Sequence, residues 1–100
     1  MLSIDVIGSG SISPIVGVHS YAEGTEVVIS ASSSSGWLFD HWLLDSENDG
    51  NINPYTITMN DDYSLTAVFI EDHSWLFYVA IIVIIILAIV IVTYFILIRL

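Results

Sequence analysis

The chain has 100 residues with eleven acidic residues, one basic residue and no cysteine, a formal net charge of −10 at pH 7. Such a chain has no cationic surface to displace counterions, which excludes nucleic acid as a partner, and no basic run to hold anionic lipid headgroups. Without cysteine there are no disulfides, thiolate metal sites or cysteine nucleophiles, and thiol usage says nothing of compartment.

Residues 1–10 contain neither a basic n-region nor a long apolar h-region. They therefore read as the start of a folded strand and not as a secretory leader. Further on, the hydrophobic spacing has a period of two. Val27, Ile29 and Ala31 share one face; Tyr55, Ile57 and Met59 alternate with Thr56, Thr58 and Asn60; Leu65, Ala67 and Phe69 alternate with Ser64, Thr66 and Val68. This is the pattern of strands with one face on a core. Turn-formers separate them: Gly8-Ser9-Gly10, Ser13-Pro14, Glu23-Gly24, residues 32–36, residues 48–54 and Asn60-Asp61-Asp62. The expected fold is a small all-β, antiparallel domain over residues 1–72, without a long helix and with one modest core. Phe39 and Trp42, the large aromatics, are expected to anchor that core against Ile29, Ile57, Leu65 and Phe69. The alternative for the aromatic pair is a carbohydrate platform on the surface, and Trp37 is open to either placement.

The strongest chemical candidate is the stretch Asp45-Ser46-Glu47-Asn48-Asp49-Gly50. Oxygen ligands at alternate positions followed by glycine are how a calcium loop begins, because a hard cation needs many close oxygens around a sharp turn. Asp45, Glu47 and Asp49 are its candidate ligands, with the backbone of Asn51. The position of the closing bidentate glutamate is occupied by Thr56, so a solvated acidic loop is the competing reading. Calcium is the only cofactor the residues suggest. His19, His41 and His73 have no metal-ligand spacing, Gly8-Ser9-Gly10 lacks the third glycine of a dinucleotide loop, and the serine run at 32–35 implies no catalytic triad. No enzymatic activity is expected.

Residues 75–98 contain no charge, glycine or proline. At about 1.5 Å per residue such a run crosses a hydrocarbon layer of about 30 Å. A chain of this size has no core able to wrap a helix that is apolar on every side. Residues 73–100 are therefore expected to be one transmembrane helix, with the lipid bilayer as first partner. Trp75, Phe77 and Tyr78 fit one interfacial belt, Tyr94 and Phe95 the other. Arg99, the single basic residue, places the C-terminus in the cytoplasm and the acidic domain outside. The alternative is a tail-anchored protein with a cytoplasmic domain. The run ends at Leu100, which leaves function to the first 74 residues or to the bilayer. Ala80, Ile84, Ala88 and Val92 recur every four residues, and the two alanines permit another helix to approach. Thr93 is expected to bond its own helix backbone.

The order Gly8-x-Gly10-x-Ile12-x-Pro14, Gly17-x-His19-x-Tyr21, Gly24-Thr25-x-Val27-x-Ile29-x-Ala31, Gly36-Trp37-x-Phe39-x-x-Trp42-x-x-Asp45, Asn53-Pro54-x-x-Ile57-x-Met59 and Leu65-x-Ala67-x-Phe69 resembles one unit of the divergent internalin B-type repeat of bacterial and archaeal surface proteins. The resemblance covers residues 4–69. It implies a β-grasp-like module, extracellular and without catalysis, that serves as a spacer or adhesion-associated unit. The chain departs from the pattern in having one unit and its own helix. It also carries apolar residues at Leu43-Leu44, Ile15-Val16, Val28 and Ile70. A cluster of these near the membrane would fit a protein partner; alternatively Leu43 or Leu44 completes the core. Two functional readings follow. One is a single-pass protein presenting a β domain for structural or interaction roles at the cell envelope. The other is an accessory subunit of a larger membrane complex, its helix packed on partner helices.

Overall fold

Residues 1–100 are described by a computed structural model. The alternating segments form eight strands: β1 (Leu2–Ile7), β2 (Gly10–Ser13), β3 (Gly17–His19), β4 (Glu26–Ser33), β5 (Trp37–Leu44), β6 (Glu47–Asn48), β7 (Tyr55–Thr58) and β8 (Tyr63–Glu71). One helix, α1 (Ser74–Arg99), follows. A five-stranded sheet in the order β3-β1-β8-β5-β6 faces a three-stranded sheet in the order β2-β4-β7.

The expectation of an all-β domain followed by a single helix holds, with one difference in strand direction. Every pairing is antiparallel except that of β1 with β8, which run parallel in register from Leu2↔Tyr63 to Ile7↔Val68. Parallel neighbours need a long connection, because the chain must return to the end from which it started. Here that return is made by β2 to β7 instead of by a helix. Alternation reports which side chains face a core but not the direction of the neighbouring strand, so the sequence could not reveal this pair.

Eleven residues form the buried core, and none is polar: Leu2, Ile4, Ile12, Val27, Ile29, Trp42, Ile57, Met59, Leu65, Ala67 and Phe69. The period-two faces read from the sequence are those buried. Leu2, Ile4 and Ile12 are core residues that the sequence reading did not assign to the core.

A β-bulge between Phe39 and His41 interrupts the pairing of β5 with β8. It matters because Phe39 and Trp42 are three residues apart, and in a regular strand an odd spacing sends side chains to opposite faces. The extra residue, Asp40, turns Trp42 back to the face that already holds Trp37 and Phe39. Trp42 is fully buried, while Phe39 and Trp37 are half-buried against the core. The Phe39 ring lies 4.9 Å from Trp42 and 5.8 Å from Phe69, and Trp42 lies 5.6 Å from Tyr55. Tilted and edge-on aromatic pairs of this kind add about 0.5–1.5 kcal/mol each beyond burial. Burial of Trp42 removes that ring from any carbohydrate platform.

Strand direction gives the domain two distinct ends. β8 runs toward α1, so the β1–β2 turn and the β4–β5 turn lie at the α1 end, where Ser34 N–H donates to Ser9 C=O (3.3 Å) and Asp72 N–H to Gly36 C=O (2.8 Å). The β3–β4, β5–β6 and β7–β8 connections lie at the far end. The whole chain measures 83 × 19 × 18 Å, with α1 extending the long axis of the domain.

Phe69 explains two glycines at the α1 end. A Cβ on Gly10 would stand 2.5–2.7 Å from the Phe69 ring, and one on Gly8, whose φ is +89°, would strike the Phe69 carbonyl. Gly10 is therefore required for close approach and not, as its place in a turn suggests, for an unusual backbone angle; Gly24, at φ +82°, does need the angle. Gly10→Ala should destabilise the domain by about 1–3 kcal/mol through overpacking, a fall in Tm of roughly 5–20 °C. Adding Phe69→Leu should make the double variant less unstable than the summed singles by about 1 kcal/mol. Thermal melting in dodecyl maltoside measures both; strict additivity would contradict the contact.

Candidate functional site

The acidic loop after β5 is built around Trp42. Leu44 pairs with Glu47, which leaves Asp45 and Ser46 as a two-residue hairpin turn, both at positive φ (49° and 69°). That backbone suits the right-handed twist of the flanking strands, and Asp tolerates it better than most side chains. Asp45 N–H donates to Ser64 C=O (2.8 Å), and Asp45 Oδ1 accepts from Ser64 N–H (2.9 Å). The chain then folds back over the tryptophan. Trp42 N–H donates to Gly50 C=O (2.8 Å), Asp49 N–H to Trp42 C=O (2.9 Å), and Trp42 Nε1–H to Ile52 C=O (2.7 Å). A buried indole N–H without an acceptor would cost about 1–3 kcal/mol, so the loop supplies what burial of the ring demands.

The three candidate calcium ligands are not brought together. No group of three carboxylate or histidine side chains anywhere in the chain is placed to share a metal ion. Asp45 is bonded to β8, Asp49 accepts the Tyr55 hydroxyl, and Glu47 stands exposed on β6. Alternate positions converge on a cation only when the backbone wraps around it; here the tight hairpin at Asp45-Ser46 sends them apart. Asn53, which the sequence reading placed only in a turn and in the repeat pattern, has a defined role. Its amide exchanges two hydrogen bonds with the Ala31 backbone (3.0 and 2.8 Å) and so extends the β4–β7 ladder by one rung.

The apolar departures are dispersed. Leu44 packs on the core and Leu43 is half-buried on the outer face of β5. Val28 lies on the outer face of the three-stranded sheet, Ile15 and Val16 on the β2–β3 connection, and Ile70 on β8 near α1; all four are exposed. Ile15 and Val16 instead line an open depression of about 340 Å³ with Val6, Gly10, Ser11 and Ile12. Leu38 and Ile7 are also exposed, and no sequence signal singled them out. The histidines are separate: His19 Nε2 bonds Ile15 C=O (2.7 Å), His41 Nδ1 bonds Asp40 (2.6 Å), and His73 Nε2 lies 3.5 Å from Glu71.

α1 buries none of its residues against the domain and is long and apolar enough to cross a membrane. Trp75 and Tyr94, at its two ends, stand about 28 Å apart along the axis at 1.5 Å per residue, close to the thickness of a hydrocarbon layer. Tyr78 lies one turn inside Trp75, and Arg99 occupies the last turn. Ala80 and Ala88 lie on one exposed face, and Thr93 Oγ1 donates to Ile89 C=O (2.9 Å), the local bond expected for it. At the first turn Asp72 Oδ1 accepts from Ser74 N–H (2.9 Å). That backbone hydrogen bond holds the Asp72 carboxyl below its ordinary pKa.

The chain is thus a two-sheet β module followed, after two residues, by a helix of membrane-spanning length. Comparison with protein families matches residues 1–73 to the divergent InlB B-repeat domain, and the chain belongs to that family. Comparisons with curated proteins and with solved structures returned no match.

Tyr55 offers a test of the loop. Burial, then the hydrogen bond it donates to Asp49, pushes its phenol from 10.0 up to about 12. The folded state keeps a proton that the unfolded chain releases, so this stabilisation is complete below pH 10 and is lost as pH rises toward 12. The chain has no Lys or Cys to titrate in that window. Thermal melting in dodecyl maltoside should show Tm falling between pH 10 and pH 12, with a shallower fall for Tyr55→Phe. Equal slopes would place the Tyr55 proton outside the folding equilibrium.

Proposed function

We propose that this protein is a non-enzymatic, single-pass membrane protein that presents its β domain outside the cytoplasm for structural or protein-interaction roles at the cell envelope. The observation that carries the proposal is the junction. A domain of the divergent InlB B-repeat family ends at residue 73, and a 26-residue helix fit to span a bilayer begins at Ser74. The bilayer is one partner, and other membrane or envelope proteins are the others.

Orientation rests on charge. All eleven acidic residues precede α1, and the only Lys or Arg is Arg99 at its far end. Positive residues flanking a span are retained on the cytoplasmic side, which supports an external domain. Support for a non-enzymatic role comes from the side-chain pairings. The histidines bond to a carbonyl or to neighbouring carboxylates, each in a different part of the fold, and the loop carboxylates serve its own architecture.

The absence of native cysteine makes topology directly measurable. Asn60→Cys marks the far end of the domain and Leu100→Cys the end of the helix. In intact cells a membrane-impermeant maleimide should modify Asn60→Cys, while Leu100→Cys should react only after permeabilisation. The protein should also remain with membranes at alkaline carbonate pH. The reverse labelling pattern would indicate a tail-anchored protein, and release by carbonate would remove the span.

A further inference from the structure

We propose that the α1 end of the β domain seats in the headgroup layer of a zwitterionic bilayer, through a corner formed by Ile7, Leu38 and Ile70. The seated domain points its acidic end away from the membrane. This rests on the reading of α1 as a membrane span.

The tether permits little else. β8 ends at Glu71 and α1 begins at Ser74, leaving only Asp72 and His73 between them. Two extended residues reach about 7 Å. The polar layer on each side of a bilayer core is about 5–8 Å deep. With Trp75 at the interface, the end of the domain lies within or directly on that layer. Both sides of the tether are also bonded, Asp72 N–H to Gly36 C=O (2.8 Å) and Ser74 N–H to Asp72 Oδ1 (2.9 Å).

The α1 end has the surface for such a place. Its two turns are Gly8-Ser9 and Ser34-Ser35-Gly36, which carry no charge. Beside them stand Ile7, Leu38 and Ile70, exposed by 52, 48 and 44%. Leu38 pairs with Ile70, and Ile7 pairs with Val68, two residues from Ile70 on the same face, so the three are neighbours. In water these are three large aliphatic groups left half-covered at one corner; at the headgroup boundary their burial is favourable.

Charge separates the ends in the same sense. Glu23, Glu26, Asp45, Glu47, Asp61 and Asp62 lie at or beside the far turns. Toward α1 the acidic residues are Glu71, Asp72 and Asp40 in the bulge; Asp72 accepts a helix N–H, Glu71 lies 3.5 Å from His73 Nε2, and Asp40 is bonded to His41 Nδ1 (2.6 Å). No Lys or Arg in the domain can draw it to anionic lipid, which selects a zwitterionic surface. A second copy is the poorer occupant. The same face carries Asp5 and adjoins Asp40, so two copies would oppose like charges with no Lys or Arg between them.

The test uses the full chain in phosphatidylcholine vesicles at low protein-to-lipid ratio, with an environment-sensitive fluorophore on one introduced cysteine. Ser35→Cys reports the α1 end, Asn60→Cys the far end and Ile86→Cys the middle of α1. A nitroxide on the lipid headgroup should quench the Ser35→Cys probe at least about twofold more than the Asn60→Cys probe. In a background of Ile7→Ser, Leu38→Ser and Ile70→Ser the tether remains, so the difference should narrow and not vanish while the melting transition is kept; an unchanged difference would overturn the role of the corner. Should that background not fold, Leu38→Ser alone serves, with a smaller narrowing expected and an unchanged difference again overturning the role of the corner. Equal quenching of the Ser35→Cys and Asn60→Cys probes, with the Ile86→Cys probe quenched by an acyl-chain nitroxide, would overturn the seating and leave the span. An unquenched Ile86→Cys probe would overturn both. Shielding of the Ser35→Cys probe that grows with protein-to-lipid ratio would assign the corner to a second copy and overturn the lipid assignment.

Discussion

Trp42 is the point on which the domain closes. A module of about 70 residues has little interior, and one buried indole is a large part of what it can bury. The ring reaches the core only because the bulge at Asp40 reverses the facing of β5. Once inside, its N–H needs an acceptor, and the loop that follows β6 provides one at Ile52. The same loop pairs with the Trp42 backbone through Asp49 and Gly50 and reaches Tyr55 through Asp49. Bulge, hairpin and acidic loop are thus successive consequences of burying one side chain.

The parallel pairing of β1 with β8 has a different consequence. It places the first and last strands at the middle of the larger sheet and aligns their C-terminal ends. The chain leaves the domain at one end, beside the Ser- and Gly-rich turns, while most carboxylates gather at the other. A dipolar distribution along the long axis therefore follows from topology and not from the order of residues, in which acidic side chains are scattered from Asp5 to Asp72. A membrane at the α1 end would meet the uncharged turns first.

How much was legible depends on the kind of pattern. Val27, Ile29, Ala31, Ile57, Leu65 and Phe69 declare a common face by alternation alone, since side chains in a strand alternate without exception until a bulge intervenes. Phe39-x-x-Trp42 breaks that rule, and nothing local says whether the break is a bulge or an outward-facing ring. Asp45, Glu47 and Asp49 show the limit more clearly. Their spacing fits calcium chemistry, yet liganding depends on convergence in space, and a hairpin of two left-handed residues separates them. Gly10 was legible as a turn residue, but what requires a glycine there lies 59 positions away in the ring of Phe69.

By itself the sequence determined the division into a β domain and a helix, the strands that bury one face, the family and the exclusion of a cationic surface. These depend on composition and on short periodicities, which are local. Only the tertiary structure decided that β1 runs parallel to β8, that the acidic loop serves Trp42, and that Ile7, Leu38 and Ile70 form one corner beside the helix. Each depends on which distant strands become neighbours, and that choice is made by packing a single small core, in which no segment's contribution is defined until the others are in place.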